Sequence, residues 1–245
     1  MTQPIVHMFP CLDDNFGLLL HDPASGMTAT IDTPDADVIL QQCEQKGWQL
    51  THILNTHHHF DHTGGNLALA AKISGLKIVG SKYDAKRIPG ITERMSEGDI
   101  LDFGELSIEV FETSGHTIGH IIYYVPAGPL VFVGDTLFKM GCGRLFEGSP
   151  AQMFESIAKI ASLPDETLVY CAHEYTLANG RFALLAEPDN DSIKQVMLED
   201  IAKRDAGEAT LPTSVGLEKQ INPFMRARSA GELGELRAGK DNFRG

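Results

Sequence analysis

Six consecutive residues, His57-His58-His59-Phe60-Asp61-His62, place three imidazoles and a carboxylate close enough together to bind metal. Imidazole and carboxylate groups suit zinc, iron or manganese at neutral pH. In an extended segment alternate side chains point the same way, so His57 and His59 can bind one ion while Asp61 and His62, where the chain turns, face a second. The motif therefore predicts half of a dinuclear metal site, rather than a polar loop that happens to be rich in histidine.

Three further candidate ligands follow apolar segments later in the chain. They are His116 in Ser114-Gly115-His116, Asp135 in Val133-Gly134-Asp135 and His173 in Ala172-His173-Glu174. A single histidine or aspartate at the end of a strand more often caps or hydrogen-bonds the backbone than binds a metal. Because all three follow a histidine cluster and a strand, they favour completion of the same site.

The elements that must position these residues are short strands with helices between some of them. Apolar and β-branched segments predict strands at Leu18–His21, Met27–Ile31, His52–Leu54, Lys77–Val79, Leu106–Phe111, His120–Val125, Leu130–Val133 and Leu168–Cys171. Helical spacing predicts helices at Asp35–Lys46, Asn66–Ser74, Met153–Leu163, Leu177–Ala186, Ser192–Ala206 and Ala230–Ala238. We expect an α/β (α+β) fold of two packed sheets with helices outside, followed by a small helical domain.

Composition limits the partners that this chain of 245 residues can have. Its formal charge of −13 is unfavourable for binding nucleic acid or an anionic membrane, and no segment is apolar for long enough to suggest a membrane span. The start of the chain does not resemble a secretion signal, so we expect a cytoplasmic protein. The four cysteines lack a Cys-x-x-Cys pair, which indicates buried thiols rather than disulfides or a zinc knuckle. A nucleophilic role for Cys142 would need a base that the sequence does not identify.

At this point the motifs resemble those of the metallo-β-lactamase superfamily, and more closely those of glyoxalase II, the hydroxyacylglutathione hydrolases. The resemblance covers essentially the whole chain, and the segments that match the family's motifs in order and spacing are Thr56–His62, Gly134–Phe138, Gly141–Arg144, His173–Thr176 and Asn222–Phe224. The resemblance implies an αββα sandwich at residues 1–173 and a helical substrate-binding domain at 174–245. Ser114 departs from the proline that often precedes the Gly-His pair, which should loosen that turn slightly.

The same resemblance implies the roles of the ligands. His57, His59 and His116 would bind one divalent ion, and Asp61, His62 and His173 the other. Asp135 would bridge the two ions, whereas His58 and His120 would pack around the ligands. We expect zinc in preference to iron or manganese.

The expected chemistry is hydrolysis of S-D-lactoylglutathione to D-lactate and glutathione. Two ions about 3.5–4 Å apart can lower the pKa of a shared water until it is a nucleophile, with Asp61 orienting it as a catalytic residue. A thiol has a pKa of about 8.5, so a thiolate leaves without a general acid, which favours a thioester over an amide or a phosphodiester.

By resemblance, Arg144, Tyr175, Arg237 and Lys240 contact the glutathione moiety. Local cations are needed there because both enzyme and substrate carry net negative charge. Phe146 stands where a tyrosine is often found, which puts a hydroxyl contact in doubt. We expect no partner beyond this small molecule, and a monomer or weak oligomer.

Four other functions remain open at this point. A persulfide dioxygenase would use one iron and would not need Asp61, His62 and His173. A lactonase would lack the terminal Arg/Lys pair, and a nuclease would need a basic surface. A metal- or glutathione-binding protein without turnover could keep all of the same residues.

Overall fold

The structure is a computed structural model that describes residues 3–245. The chain divides into two compact units. Unit 1 contains the described residues up to Glu112 together with Gly119–Gly134, and unit 2 contains Thr113–Ile118 and Asp135–Gly245. The candidate metal ligands His57, His59, Asp61 and His62 therefore belong to unit 1, and His116, Asp135 and His173 belong to unit 2.

Unit 1 begins with a mixed sheet. Its strands, in both spatial and chain order, are β1 (Ile5–Cys11), β2 (Asn15–His21), β3 (Met27–Ile31), β4 (Gln49–Leu54), β5 (Lys77–Ser81) and β6 (Glu93–Met95). The β1–β2 and β2–β3 pairs are antiparallel, and the pairs from β3 to β6 are parallel. The parallel pairs require crossover connections, and these contain the helices of unit 1.

Those helices are α1 (Ala36–Lys46), α2 (Phe60–Thr63) and α3 (Asn66–Lys72). Helix α1 begins where the Asp35 carboxylate accepts hydrogen bonds from the main-chain N–H groups of Asp37 and Val38, and it ends at Gly47, whose φ of 67° is left-handed. Ile39 of α1 and Leu69 of α3 belong to the same apolar core cluster as Ile53 of β4. Helices α1 and α3 therefore share an apolar core with the mixed sheet.

A second, antiparallel group of strands completes unit 1. It consists of β7 (Ile100–Phe103), β8 (Leu106–Glu112), β9 (Ile121–Val125) and β10 (Leu130–Gly134). The Tyr123 hydroxyl donates to the Asn55 carbonyl over 2.8 Å, and the Phe103 ring meets His52 edge-on. The two groups of strands in unit 1 therefore contact each other face to face.

Unit 2 is mainly helical. It contains the hairpin β11 (Leu137–Phe138) and β12 (Gly141–Cys142), and the pair β13 (Leu168–Cys171) and β14 (Thr213–Ser214). Its helices are α4 (Pro150–Ala161), α5 (Thr176–Ala186), α6 (Asp191–Asp205), α7 (Val215–Ile221), α8 (Pro223–Arg226) and α9 (Ala230–Asn242). Met140, Ala183, Ile193, Met197 and Ile221 form an apolar core within this unit.

The six predicted helices and eight predicted strands are all present; the bounds of Met27–Ile31 and Leu168–Cys171 are as predicted, and the other elements have shifted ends. The sequence analysis missed β1, an edge strand that contains Pro10, and β6 and β7, which are short and partly polar. It also missed the two-residue strands and the short helices α2, α7 and α8. The predicted domain boundary between residues 173 and 174 stays a prediction. Among the described residues, no helix has the length and apolar character needed to cross a membrane.

Candidate functional site

The ligand group of unit 1 lies where β4 gives way to α2. His59 is the residue that precedes α2, with an extended backbone, so Asp61 and His62 fall in the first turn of that helix. His57 and His62 are fully buried, whereas Asp61 is about half-buried. The change from extended chain to helix therefore turns four candidate ligands toward one another.

Distances between ring and carboxylate atoms describe this convergence. His57 Nε2 lies 2.9 Å from His59 Nδ1, and His62 Nε2 lies 3.3 Å from Asp61 Oδ2. The ring centroids of His57 and His62 are 4.0 Å apart. A buried cluster of imidazole nitrogens and a carboxylate at these separations is the donor set that a divalent transition metal requires.

Asp32, which the sequence analysis missed, orients two of these histidines. Its carboxylate accepts from His62 Nδ1 at 2.8 Å, from the Thr56 hydroxyl at 2.8 Å and from the Thr56 main-chain N–H at 2.7 Å. Because the Thr56 hydroxyl donates to Asp32, it accepts from His57 Nδ1 at 3.1 Å. Both histidines thus carry their proton on Nδ1 and present Nε2 as the ligand atom.

A signal for Asp32 exists in the sequence, because it directly follows strand β3 just as Asp135 directly follows strand β10. Asp32 has a left-handed φ of 59°, a conformation that aspartate and asparagine tolerate better than most residues.

The remaining histidines of this region make packing and orienting contacts. His58 Nδ1 donates to the buried Asp84 carboxylate at 3.0 Å, and Asp84 also accepts from Arg87. The His120 ring stacks on His57 with centroids 4.8 Å apart. These contacts hold the loop around the candidate ligands.

The ligand group of unit 2 is centred on Asp135. Its Oδ2 lies 3.4 Å from His116 Nε2, and its Oδ1 lies 3.4 Å from His173 Nε2. Each carboxylate oxygen therefore faces a different imidazole, the arrangement expected of a carboxylate that bridges two ions. His116 Nδ1 donates to the Arg144 carbonyl at 2.8 Å, which leaves Nε2 as its ligand atom.

Two glycines make this approach possible. A Cβ atom at Gly143 would lie only 2.0 Å from the Asp135 carbonyl oxygen, and Gly115 has a φ of 155°. At Ser114 the hydroxyl donates to the Ile118 carbonyl at 2.6 Å, so a hydrogen bond braces the turn that we expected to be looser.

A cavity of about 390 Å³ in unit 2 contains the predicted substrate residues. Its walls include the candidate ligands His116 and Asp135, and they include all four residues that resemblance assigned to glutathione: Arg144, Tyr175, Arg237 and Lys240. Phe146 also lines it, with its ring edge-on to His116.

Arg237 is the most constrained of these cations. It is 7% exposed; its Nη1 donates to the Cys142 carbonyl at 2.8 Å, and its Nη2 donates to Asp241 at 2.9 Å. Its buried Nε–H has no hydrogen-bond partner among the described residues. A buried N–H left without a partner carries a desolvation cost, and an anionic ligand in the cavity would remove it.

Lys240 is also partly withdrawn from solvent. Its ammonium donates to the Ala178 carbonyl at 2.7 Å and lies over the rings of Phe182 and Phe243. Burial, reinforced by the charges of Arg237 and Arg181, lowers the pKa of Lys240 to about 8. Its charge is therefore sensitive to mildly alkaline pH.

The four cysteines are free and buried, as predicted. Burial raises the pKa of the Cys142 thiol to about 11, although Arg237 opposes the shift. A thiol with that pKa is protonated at neutral pH, which argues against a nucleophilic role for Cys142.

Comparison with known proteins assigns the family. The metallo-beta-lactamase superfamily matches residues 17–173, and the hydroxyacylglutathione hydrolase C-terminus matches residues 174–243. The hydroxyacylglutathione hydrolase of Maricaulis maris is 53% identical over 92% of this chain and 88% of its own length. The chain belongs to the hydroxyacylglutathione hydrolase family. A second relative, from Erythrobacter litoralis, is 46% identical over 97% of this chain and 99% of its own length.

Solved structures agree on the metallo-β-lactamase fold. ETHE1 from Myxococcus xanthus superimposes with a TM-score of 0.74 at 27% identity, covering 98% of this chain and 92% of its own. TTHA1623 in a di-iron-bound form gives 0.64 at 25% identity, covering 91% of this chain and all of its own. Membership of this superfamily implies divalent metal binding, and the buried histidine and carboxylate groups of both units supply suitable donors.

The structure therefore groups the predicted ligands in two sets. His57, His59, Asp61 and His62 converge within unit 1, and His116, Asp135 and His173 converge within unit 2. The four predicted substrate residues share one cavity of unit 2.

Proposed function

We propose that this hydroxyacylglutathione hydrolase cleaves S-D-lactoylglutathione to D-lactate and glutathione at a pair of divalent metal ions. The observation that carries the proposal is the cavity of unit 2, in which the candidate ligands His116 and Asp135 lie beside three cationic side chains. An acyl group at the ligands and a glutathione moiety among the cations would use both features at once.

The ligand assignment is part of the proposal. His57, His59 and His116 would hold one ion, and Asp61, His62 and His173 would hold the other. Asp135 would contribute to both ions, which is supported by the approach of each of its oxygens to a different histidine. We propose zinc for both positions, since the imidazole-rich donor set suits it, although iron and manganese accept the same ligands.

When bound, the two ions would activate a water molecule and polarise the thioester carbonyl. The Asp61 carboxylate would orient that water by accepting a hydrogen bond from it, and Asp61 Oδ2 is itself held by a hydrogen bond of 3.2 Å from Asn15 Nδ2. Asp32 holds His57 and His62 in the tautomers that present Nε2. The leaving thiolate needs no proton donor, because thiolates are weakly basic compared with alkoxides.

Recognition of glutathione depends on local charge. The chain carries a formal charge of −13, which is unfavourable for an anionic substrate at long range. Arg144, Arg237 and Lys240 offset this within the cavity, since charges beyond about 8 Å are screened at physiological salt. The Nε–H of Arg237, which has no hydrogen-bond partner within residues 3–245, supports direct contact with a substrate carboxylate.

The wider biological context is also proposed. The four free, buried cysteines are typical of a reducing compartment and support a cytoplasmic location. We propose that the protein is a monomer or weak oligomer and that it acts in methylglyoxal detoxification by hydrolysing the glutathione thioester. We also propose that it binds neither nucleic acid nor membranes.

The test combines elemental analysis of the purified protein with a thioester hydrolysis assay on S-D-lactoylglutathione. The double variant Arg237→Ala, Lys240→Ala should raise KM by more than about tenfold, because it removes two charge-assisted contacts, and should lower kcat much less. The matched control is Lys194→Ala, Arg228→Ala, which removes the same charge from exposed positions in unit 2. It should leave KM nearly unchanged.

Turnover of the thioester with about two ions per chain supports the proposal. Binding of S-D-lactoylglutathione without turnover by metal-loaded protein would instead indicate a binding protein. An equal effect of the two double variants on KM would remove the assignment of Arg237 and Lys240.

A further inference from the structure

The hairpin β11–β12 forms part of the wall of the substrate cavity. Phe138 and Cys142, one from each strand, line the cavity, and the Cys142 carbonyl accepts the hydrogen bond from Arg237 Nη1. The direction of the Arg237 guanidinium therefore depends on where this hairpin lies. The residues that fix the position of this hairpin are not among the candidate metal ligands.

Asn222, from the Asn222-Pro223-Phe224 motif, holds the hairpin from one side. This side chain is fully buried, and its Nδ2 donates to the carbonyl oxygens of Phe138 and Gly141 at 3.1 and 3.0 Å. Its Oδ1 accepts from the Phe224 N–H at 3.0 Å and so caps helix α8. One amide group thus starts a helix and ties both strands of the hairpin to it.

Glu218 holds the turn of the same hairpin. Its buried Oε2 accepts from the Met140 N–H and from Asn222 Nδ2, both at 2.9 Å, and its Oε1 accepts from the Thr213 hydroxyl at 2.7 Å. Met140 sits at the turn with a left-handed φ of 56°, which is unusual for a residue other than glycine. The carboxylate therefore stabilises a main-chain conformation that the sequence alone disfavours.

Both side chains are polar groups without access to water, so their hydrogen bonds are expensive to leave unmade. Their partners are main-chain groups of the hairpin, so a change at either residue acts directly on the hairpin's position. The next group along this chain of contacts is Arg237 in the substrate cavity.

We propose that Glu218 and Asn222 are positioning residues for glutathione binding, which they set by fixing the β11–β12 hairpin and, through the Cys142 carbonyl, the Arg237 guanidinium. This inference rests on the proposed function. It assigns a role in substrate affinity to the Asn-Pro-Phe motif, none of whose three buried residues, Asn222, Pro223 and Phe224, lines the cavity.

The first experiment uses Asn222→Asp, which keeps the size of the side chain and the helix cap. It replaces the Nδ2 donor with an oxygen that faces the Phe138 and Gly141 carbonyls and the Glu218 carboxylate. We expect KM for S-D-lactoylglutathione to rise by about tenfold or more, since misplacement of a binding group by about 1 Å can cost up to about 100-fold. The metal content and kcat should change little.

The matched control is Asn190→Asp. Asn190 also caps a helix of unit 2, since its Oδ1 accepts from the N–H groups of Ser192 and Ile193, but it does not contact the hairpin. The same chemical change should leave KM nearly unchanged. A KM increase of similar size in both variants would overturn the inference.

Glu218 offers a rescue test. Glu218→Gln can keep its three contacts, with the amide oxygen accepting from Met140 and Asn222 and the amide nitrogen donating to the Thr213 hydroxyl. Glu218→Ala removes all three. We expect the alanine variant to resemble Asn222→Asp and the glutamine variant to stay close to the wild type.

The ratio of kcat/KM for two substrates does not depend on how much of a variant is folded. Dividing kcat/KM for S-D-lactoylglutathione by kcat/KM for a lactoyl thioester without the glutathione moiety cancels the fraction of active protein. The ratio should fall about tenfold in Asn222→Asp and Glu218→Ala, and an unchanged ratio overturns the inference. Failure of the wild type to hydrolyse either substrate would instead refute the proposed function.

Discussion

The two ligand groups are built in different ways. In unit 1, four ligands come from six neighbouring residues, and the Asp32 carboxylate fixes two histidines. In unit 2, His116, Asp135 and His173 come from distant parts of the sequence, and a main-chain carbonyl, that of Arg144, orients His116. In the short loop of unit 1, a carboxylate from another part of the chain orients the imidazole rings of His57 and His62. In unit 2, a main-chain carbonyl orients the ring of His116.

The groups also differ in what surrounds them. The cavity of unit 2 contains two ligands and the candidate substrate cations. The residues around the unit 1 ligands are instead their hydrogen-bond and ring partners, Asp32, Asn15 and His120. Changes in unit 1 should therefore act on metal binding, and changes in unit 2 on metal binding or on substrate affinity, according to the residue.

The largest effect is expected from Asp135→Ala, which removes both oxygens that face His116 and His173. The variant should lose the metal pair and almost all activity, well beyond the roughly 10–100-fold that follows loss of an outer partner. Elemental analysis and the thioester assay measure the two effects. A variant that keeps two ions and full activity would refute the bridging role.

Asp32→Asn should have the next largest effect. Asparagine tolerates the left-handed backbone at this position, but its amide cannot serve His62 and Thr56 as the carboxylate does. We expect metal affinity or kcat to fall by about 10–100-fold with KM nearly unchanged. If KM rises instead, the separation of roles between the two groups is wrong.

Lys240→Arg tests the pH dependence of substrate affinity. The pKa of Lys240 is lowered to about 8, so its positive charge is present below that pH and is lost as the pH rises through it. For the wild type, kcat/KM should decline with a midpoint near pH 8, because this quantity reports groups of the free enzyme. The arginine variant stays charged and should show a flatter profile. Identical profiles would contradict the role of Lys240.

Phe146→Tyr should have the smallest effect. Phe146 lines the cavity and is largely exposed, so a tyrosine hydroxyl could gain one hydrogen bond to substrate. One such bond contributes about 0.5–1.5 kcal/mol, so KM should fall by at most about tenfold without a change in metal content. The measurement is the KM for S-D-lactoylglutathione, and a higher KM would show that the phenyl ring itself is preferred.

Many of the strands and helices could be predicted from the local pattern of apolar and polar residues. Strands such as Met27–Ile31 are recognised from their apolar and β-branched residues. Helices such as α1 are recognised from the spacing of their apolar residues and from their capping residues. In both cases the signal lies in neighbouring residues. The turn of the β11–β12 hairpin was not readable, because Met140 takes a left-handed conformation that the distant Glu218 stabilises.

By itself, the sequence determined the candidate ligands and the family. These residues stand in short motifs, and the residue types and spacing of a short motif can be recognised without a structure. Only the tertiary structure decided that Asp32 orients His57 and His62, that Arg237 binds the Cys142 carbonyl, and that Glu218 and Asn222 hold the hairpin. These contacts join residues far apart in the chain, and a hydrogen bond depends on distances and directions in space that residue spacing does not encode.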